Sequence, residues 1–263
     1  MFRTLIPTVT FATGLLRSGA LLALLALAAC GAHTSDKAPP NDPRYAEMMD
    51  GDRVIIAVEP RYLTDQTRRK VVSYAGDEAP GTIVVDPFAR VLYHVMEGGQ
   101  AERFGIAVGR EGLSFRGAGV ISRKEQWPSW TPTRNMIRTQ PETYAEYAGG
   151  LPGGLDNPLG SRALYLYRNG RDTYFRIHGT IDNASIGRAT SAGCIRLFNQ
   201  DAIYLYDQID TGTRVIVRTL EQSIAIEGPT VDDANGFAIP AALAPDQPVI
   251  LSGAEAGVEA DNT

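Results

Sequence analysis

A histidine and a cysteine sixteen residues apart are the strongest chemical feature of this 263-residue chain. His178 stands in Ile177-His178-Gly179-Thr180, and Cys194 in Ser191-Ala192-Gly193-Cys194-Ile195-Arg196-Leu197. A thiol of pKa ~8.5 is mostly protonated at neutral pH, so a nucleophilic cysteine needs a base or a positive neighbour. An imidazole of pKa ~6.5 supplies either. Gly193 permits a tight turn before the thiol, and backbone N–H groups there can face a developing oxyanion. The available chemistry is covalent: thiolate attack on a carbonyl gives a thioester, which an acceptor then resolves. Local chemistry alone leaves this open against a buried, inert cysteine, the commoner fate of the residue. Two ligands are too few for a structural zinc site, so no metal is expected.

The elements that must position this pair are short strands. Thr82–Val85 and Arg90–Met96, joined by the turn residues Asp86-Pro87-Phe88-Ala89, read as a hairpin. Further strands are expected at 103–109 and 119–123, and at 163–167 and 173–178 around Asn169-Gly170, with a closing strand at 213–218. Ile177 and His178 thus end a strand. Asn199 is placed to cap a short helix carrying Ala202, Ile203, Tyr206 and Ile209 on one face. The fold class expected is mainly β, a sandwich or open barrel with one or two short helices. Residues 127–160 form a long irregular stretch, the kind that is usually functional or disordered. Trp127 and Trp130 argue against disorder, and with Gly149–Gly154 they are placed either as a wall of a groove or as packing beneath a loop. His94, on an apolar strand, reads as a structural histidine.

The ends differ from the middle. Arg3 and Arg17 precede an apolar run, Ala20–Ala29, that stops at Cys30. About ten residues cannot span a bilayer as a helix, which takes ~20, but they suit a signal peptide. Leu27-Ala28-Ala29-Cys30 resembles the lipobox of bacterial lipoproteins, which implies that Cys30 is lipidated and begins the mature protein. Cys194, the only other cysteine, would then have no disulfide partner. Residues 30–53 read as a linker and 54–79 as an arm packing on the domain. After Leu220 the chain has eight acidic residues and no Lys or Arg, so 220–263 reads as an acidic, disordered tail. A net charge of −5 offers no basic surplus for nucleic acid. Apolar residues, 44% of the chain, are enough for a packed core.

Several spaced motifs agree in order with one family. Pro80–Asp86, Asn157-Pro158-Leu159-Gly160, Ile177–Thr180, Ser185–Arg188, Ser191–Leu197, Asn199…Asp201 and Gly212–Val215 together resemble the L,D-transpeptidase (YkuD) family over about 80–218. The resemblance implies a catalytic domain at 80–219, with Cys194 as nucleophile and His178 as proton acceptor and donor. It also implies a Gly179 carbonyl orienting the imidazole and an oxyanion hole from the N–H groups of Gly193 and Cys194. Arg196, Ser191, Trp127 and Trp130 become candidates for substrate contact, with a structural ion pair the competing role of Arg196. No cofactor is implied. The implied donor is a peptidoglycan stem tetrapeptide, cleaved after its third residue with loss of D-Ala. The implied acceptor is an amine on another stem peptide or on an envelope protein. Hydrolysis by an L,D-carboxypeptidase or amidase, and a non-catalytic envelope-binding lipoprotein, are the alternatives. The lipid anchor and Gly31 after it point to the periplasmic face of the outer membrane. Family members are characteristically acylated by carbapenems. One departure is Ala192, where many members carry histidine, so no role resting on a second imidazole carries over.

Overall fold

β-Branched and aromatic runs become strands, and the computed structural model describes residues 42–109, 115–190 and 195–244. The strands are β1 (Met48–Asp50), β2 (Arg53–Ile55), β3 (Lys70–Ser73), β4 (Ile83–Asp86), β5 (Val91–Met96), β6 (Gln100–Gly105), β7 (Ala107–Gly109) and β8 (Gly117–Gln126). Then come β9 (Arg162–Arg168), β10 (Arg171–His178), β11 (Ala189–Thr190), β12 (Ile195–Arg196), β13 (Arg214–Val217), β14 (Thr230–Asp232) and β15 (Ala238–Pro240). Among the described residues four α-helices accompany them: α1 (Arg134–Thr139), α2 (Pro141–Tyr144), α3 (Asn199–Gln208) and α4 (Leu220–Glu227). The fold is mainly β, as the residue pattern predicts.

Among the described residues, eleven strands form one sheet in the order β11-β7-β12-β10-β9-β8-β13-β4-β5-β6-β3. Only Ile106 separates β6 from β7 in sequence, yet they stand eight places apart in that order. In a flat sheet, eight spacings of ~4.8 Å would put them ~38 Å apart, whereas one intervening residue reaches ~7 Å. The sheet therefore curls until its ends meet. At the meeting line the Gly105 backbone lies against Thr67, where an added Cβ would come 2.4 Å from the Thr67 Cα. The interior holds Ile83, Leu92, Phe104, Ile106, Ile121, Leu166, Ile177 and Val215, with Ala202 and Leu205 of α3 and Ile209 just after it packed against them.

Two local patterns serve the site. Asn169 (φ 51°) and Gly170 (φ 73°) both take left-handed backbone, the two-residue turn that matches strand twist, and they fix the register of β9 on β10. A bulge between Asp172 and Phe175 then leaves Tyr174 at φ 60° and exposed. The buried residues of α3 are Gln200, Asp201, Ala202 and Leu205, followed by buried Ile209 just past its end, whereas Ile203 and Tyr206 are half-buried.

Two expected boundaries need correction. Residues 42–53 are not a free linker: Tyr45 is buried against Phe198, and Asp50 accepts two bonds from Arg162 at 2.7 and 2.8 Å. Nor are 220–244 a disordered tail. Thr219 and Gln222 form a capping box for α4, and Ser223 donates to Asp86 at 2.8 Å. Arg218 joins Asp86 to Glu227, and buried Arg90 holds the β14–β15 hairpin through Asp232 and the Gly236 carbonyl. Acidic residues in this stretch thus pair with arginines outside it, Asp232 with Arg90, 142 positions upstream, and Glu227 with Arg218, which the composition of the stretch does not reveal. Residues 245–263 lie outside the described residues.

Candidate active site

His178 closes β10 and is buried at 3% exposure. Its Nδ1 lies 2.6 Å from the Gly179 carbonyl oxygen. A carbonyl only accepts, so Nδ1 carries the proton and donates. The lone pair is then on Nε2, the atom free to take a proton. Burial pushes the imidazole pKa down to about 4, with the charges of Arg196 and Arg176 adding to the fall and the carbonyls of Gly179 and Leu159 opposing it. The ring is therefore neutral at pH 7 and available as a base.

The Gly179 carbonyl is itself held in place. Gly179 N–H donates to the Arg162 carbonyl at 3.0 Å. The Asn199 side chain accepts from Ser161 N–H at 2.8 Å and donates to the Thr180 carbonyl at 2.9 Å. It thereby clamps the turn after His178 to the start of β9. Contact is so close that a Cβ at Gly179 would sit 2.2 Å from Asn199 Oδ1, and one at Gly160 2.7 Å from the Gly179 carbonyl carbon. Asn199 does not cap α3; no side-chain cap bond is made there. The sequence reading missed its role because its partners lie 38 and 19 positions away.

The described residues on either side of 191–194 lie on strands paired with β7 and, for β12, with β10. Ile195, which follows Cys194 in sequence, aligns with Ile177 of β10, and Arg196 with His178, in parallel pairing. Leu197 N–H donates to the His178 carbonyl at 2.8 Å. On the other side of residues 191–194, Thr190 pairs with Gly109 of β7, the same strand that flanks Ile195. Cys194, with Ser191, Ala192 and Gly193, lies outside the described residues, as does Cys30.

His178 lines a cleft of about 800 Å³. One wall is the sheet, with Arg123, Tyr165, Tyr174 and Arg176. The other is the 127–160 excursion, with Trp130, Thr131, Thr133, Arg134 and Met136. Tyr165 is stacked between two guanidinium groups, Arg123 at 3.7 Å and Arg176 at 4.3 Å from its ring centre. Arg176 makes a two-pronged bond with Asp172, both contacts 2.7 Å, and Arg123 lies 3.4 Å from Glu125. None of these groups was singled out from sequence. The alternation of cations and aromatics on β8–β10 is the signal that could have found them.

Of the remaining candidates, Trp130 lies in the cleft wall and Trp127 does not. Trp127 instead lies under the Arg53 guanidinium, 4.8 Å from its ring centre, because its left-handed backbone (φ 49°) turns it toward β1–β2. Arg196 stands 3.8 Å from Asp182 and is partly buried. His94 lies on the sheet 4.0 Å from Glu102, with Nδ1 buried and lacking a hydrogen bond. Among the described residues no group of three or more His, Cys, Asp or Glu could hold a metal, and no helix is long and apolar enough to cross a membrane.

Comparison with known proteins adds to this geometry. Residues 80–217 match the family model of the L,D-transpeptidase catalytic domain (YkuD). The chain is similar to the Escherichia coli K12 protein named "Probable L,D-transpeptidase ErfK/SrfK", 36% identical over 51% of this chain and 43% of that one. Its Salmonella typhimurium counterpart is 34% identical over 56% and 48%. The chain thus spans about half the length of these curated relatives. A Brucella melitensis crystal structure titled "Probable carnitine operon oxidoreductase caia" is 46% identical, covering 60% of this chain and 98% of that one. Its TM-score is 0.42.

Proposed function

The chain belongs to the L,D-transpeptidase (YkuD) family, and from that premise we propose that it transfers the acyl group of a peptidoglycan stem tetrapeptide through a thioester on Cys194. His178 Nε2 takes the thiol proton as sulfur attacks the carbonyl of the third residue. The imidazolium returns that proton to the departing D-Ala amine as the C–N bond breaks. An acceptor amine on a second stem peptide, or on an envelope protein, then attacks the thioester. It gives its proton to Nε2, and the thiol is regenerated. The N–H groups of Gly193 and Cys194 are assigned to the tetrahedral oxyanion, a role of the kind worth ~10²–10³ in rate. Lipidation of Cys30 would hold the domain at the periplasmic face of the outer membrane, beside its polymer.

The observation that carries this reading is a buried, neutral histidine whose Nδ1 is committed to Gly179. It borders an 800 Å³ cleft and is in register with the strand that follows Cys194. Mass spectrometry of muropeptides incubated with the protein tests it. Dimers linked between two third residues, formed by the wild type and not by Cys194→Ala, are expected. Shortened monomers alone would make water the acceptor and the enzyme a carboxypeptidase. Identical products from both proteins would refute cysteine catalysis.

A further inference from the structure

The chain carries a net charge of −5, yet the described lining of the cleft contains three arginines and no carboxylate residue. Two of the three are already engaged: Arg176 with Asp172, and Arg123 with Glu125 and the Tyr165 ring. Arg134 is different. It is the first residue of α1, on the wall facing the sheet, and is exposed. Among the described residues no carboxylate forms an ion pair with it. Its neighbours are committed elsewhere: Thr133 accepts from Met136 N–H, and Asn135 accepts from Arg138. A guanidinium at a cleft mouth, without a carboxylate partner among the described residues and facing a wall whose arginines already have theirs, favours an anionic ligand of its own. Inside a cleft such a charge is also focused and less screened than on an open surface.

We propose that Arg134 is a specificity residue that reads a free side-chain carboxylate of the peptide donor. This rests on the reading of the cleft as the donor site. Arg134 takes no part in proton transfer. It pairs with the donor's carboxylate while the scissile carbonyl lies at the His178 end, so it selects acidic over amide-capped peptides. Arg123 and Arg176, tied to Glu125, Asp172 and the Tyr165 ring, are held as the fixed wall opposite.

The test uses the full chain and two synthetic stem tetrapeptides with the same C-terminal D-Ala. One has free side-chain carboxylates, and in the other they are primary amides. Acylation of Cys194 is followed by intact mass, with alkylation by neutral iodoacetamide as a control for the thiol and its base. The wild type is expected to favour the free acid by about tenfold in kcat/KM, in line with a charge-assisted hydrogen bond. Arg134→Gln should reduce that preference to within about threefold, with unchanged alkylation, and Arg134→Lys should restore part of it. Equal use of both peptides by the wild type, or full discrimination by Arg134→Gln, overturns the proposal while leaving thioester chemistry intact. Failure of both peptides to acylate the wild type refutes the donor-site reading, and the Arg134 assignment falls with it.

Discussion

The two walls of the cleft are built to different standards. On the sheet side, His178, Thr180, Ser161 and Arg162 are each at most 5% exposed. Their backbones are joined through Gly179, Leu197 and the Asn199 amide. On the other side, α1 and α2 contain no buried residue. That wall is fastened by the Trp130–Leu151 backbone pair at 2.7 and 2.9 Å, the rings of Tyr144 and Tyr147 against Trp130, and Asn157 donating to the Pro152 carbonyl. Few buried contacts mean low local stability. The rigid side thus fixes proton transfer, and the loosely held side is left to recognise the substrate. Substitutions on the first should change the rate of chemistry, and those on the second should change KM.

His178→Gln gives the largest expected effect. Removing a general base costs ~10²–10⁴ in rate, so Cys194 acylation should nearly vanish while substrate binding survives. A loss confined to KM would erase the contrast between the walls. Asn199→Ala comes next. It leaves Ser161 N–H and the Thr180 carbonyl unpaired, at a cost of about 1–3 kcal/mol in stability by urea unfolding. It should also shift the acid limb of the acylation pH profile, because the Gly179 carbonyl loses its clamp. A stability loss without that shift would make Asn199 merely structural. Trp130→Ala, on the loose wall, should raise KM several-fold and leave iodoacetamide alkylation of Cys194 unchanged.

The pH dependence of stability gives the smallest and most diagnostic effects. His178 is depressed to about 4 by burial, below an unfolded value of ~6.5. Between those values the unfolded chain binds more protons, so this contribution to stability is lost as pH falls from about 6.5 to 4. Asp201 behaves oppositely. Burial raises it to about 7, against Arg69 and the Tyr45 hydroxyl, which donates at 3.0 Å. Its contribution is full below the unfolded ~3.9 and is lost as pH rises through about 7. Asp201→Asn should therefore gain on the wild type as pH rises from about 4 to about 7, and His178→Gln should gain as pH falls from about 6.5 to about 4. Unfolding midpoints that move in parallel with the wild type would remove both groups from the ledger.

The sequence reading reached the rigid wall better than the loose one. Ile177-His178 at a strand end and the Asn169-Gly170 turn are short-range patterns, and they fold as such. Asn199 read as a helix cap because caps are local, whereas its actual partners, Ser161 and Thr180, are brought near only by β9–β10–β12 pairing. Trp127 and Trp130, three residues apart, looked equivalent until a left-handed backbone at Trp127 sent one to Arg53 and left the other in the cleft. The acidic stretch 220–244 read as disordered because the arginines that fix it, Arg90 and Arg218, lie outside it.

The central claim is that His178 is a neutral base with its proton on Nδ1. A ¹⁵N-detected pH titration of the histidine side chains, assigned by comparison with His178→Gln, tests it most directly. The account predicts an Nδ1–H tautomer for His178 at pH 7 and protonation of Nε2 only as pH approaches about 4. An Nε2–H tautomer, or an imidazolium already present at pH 7, would contradict it.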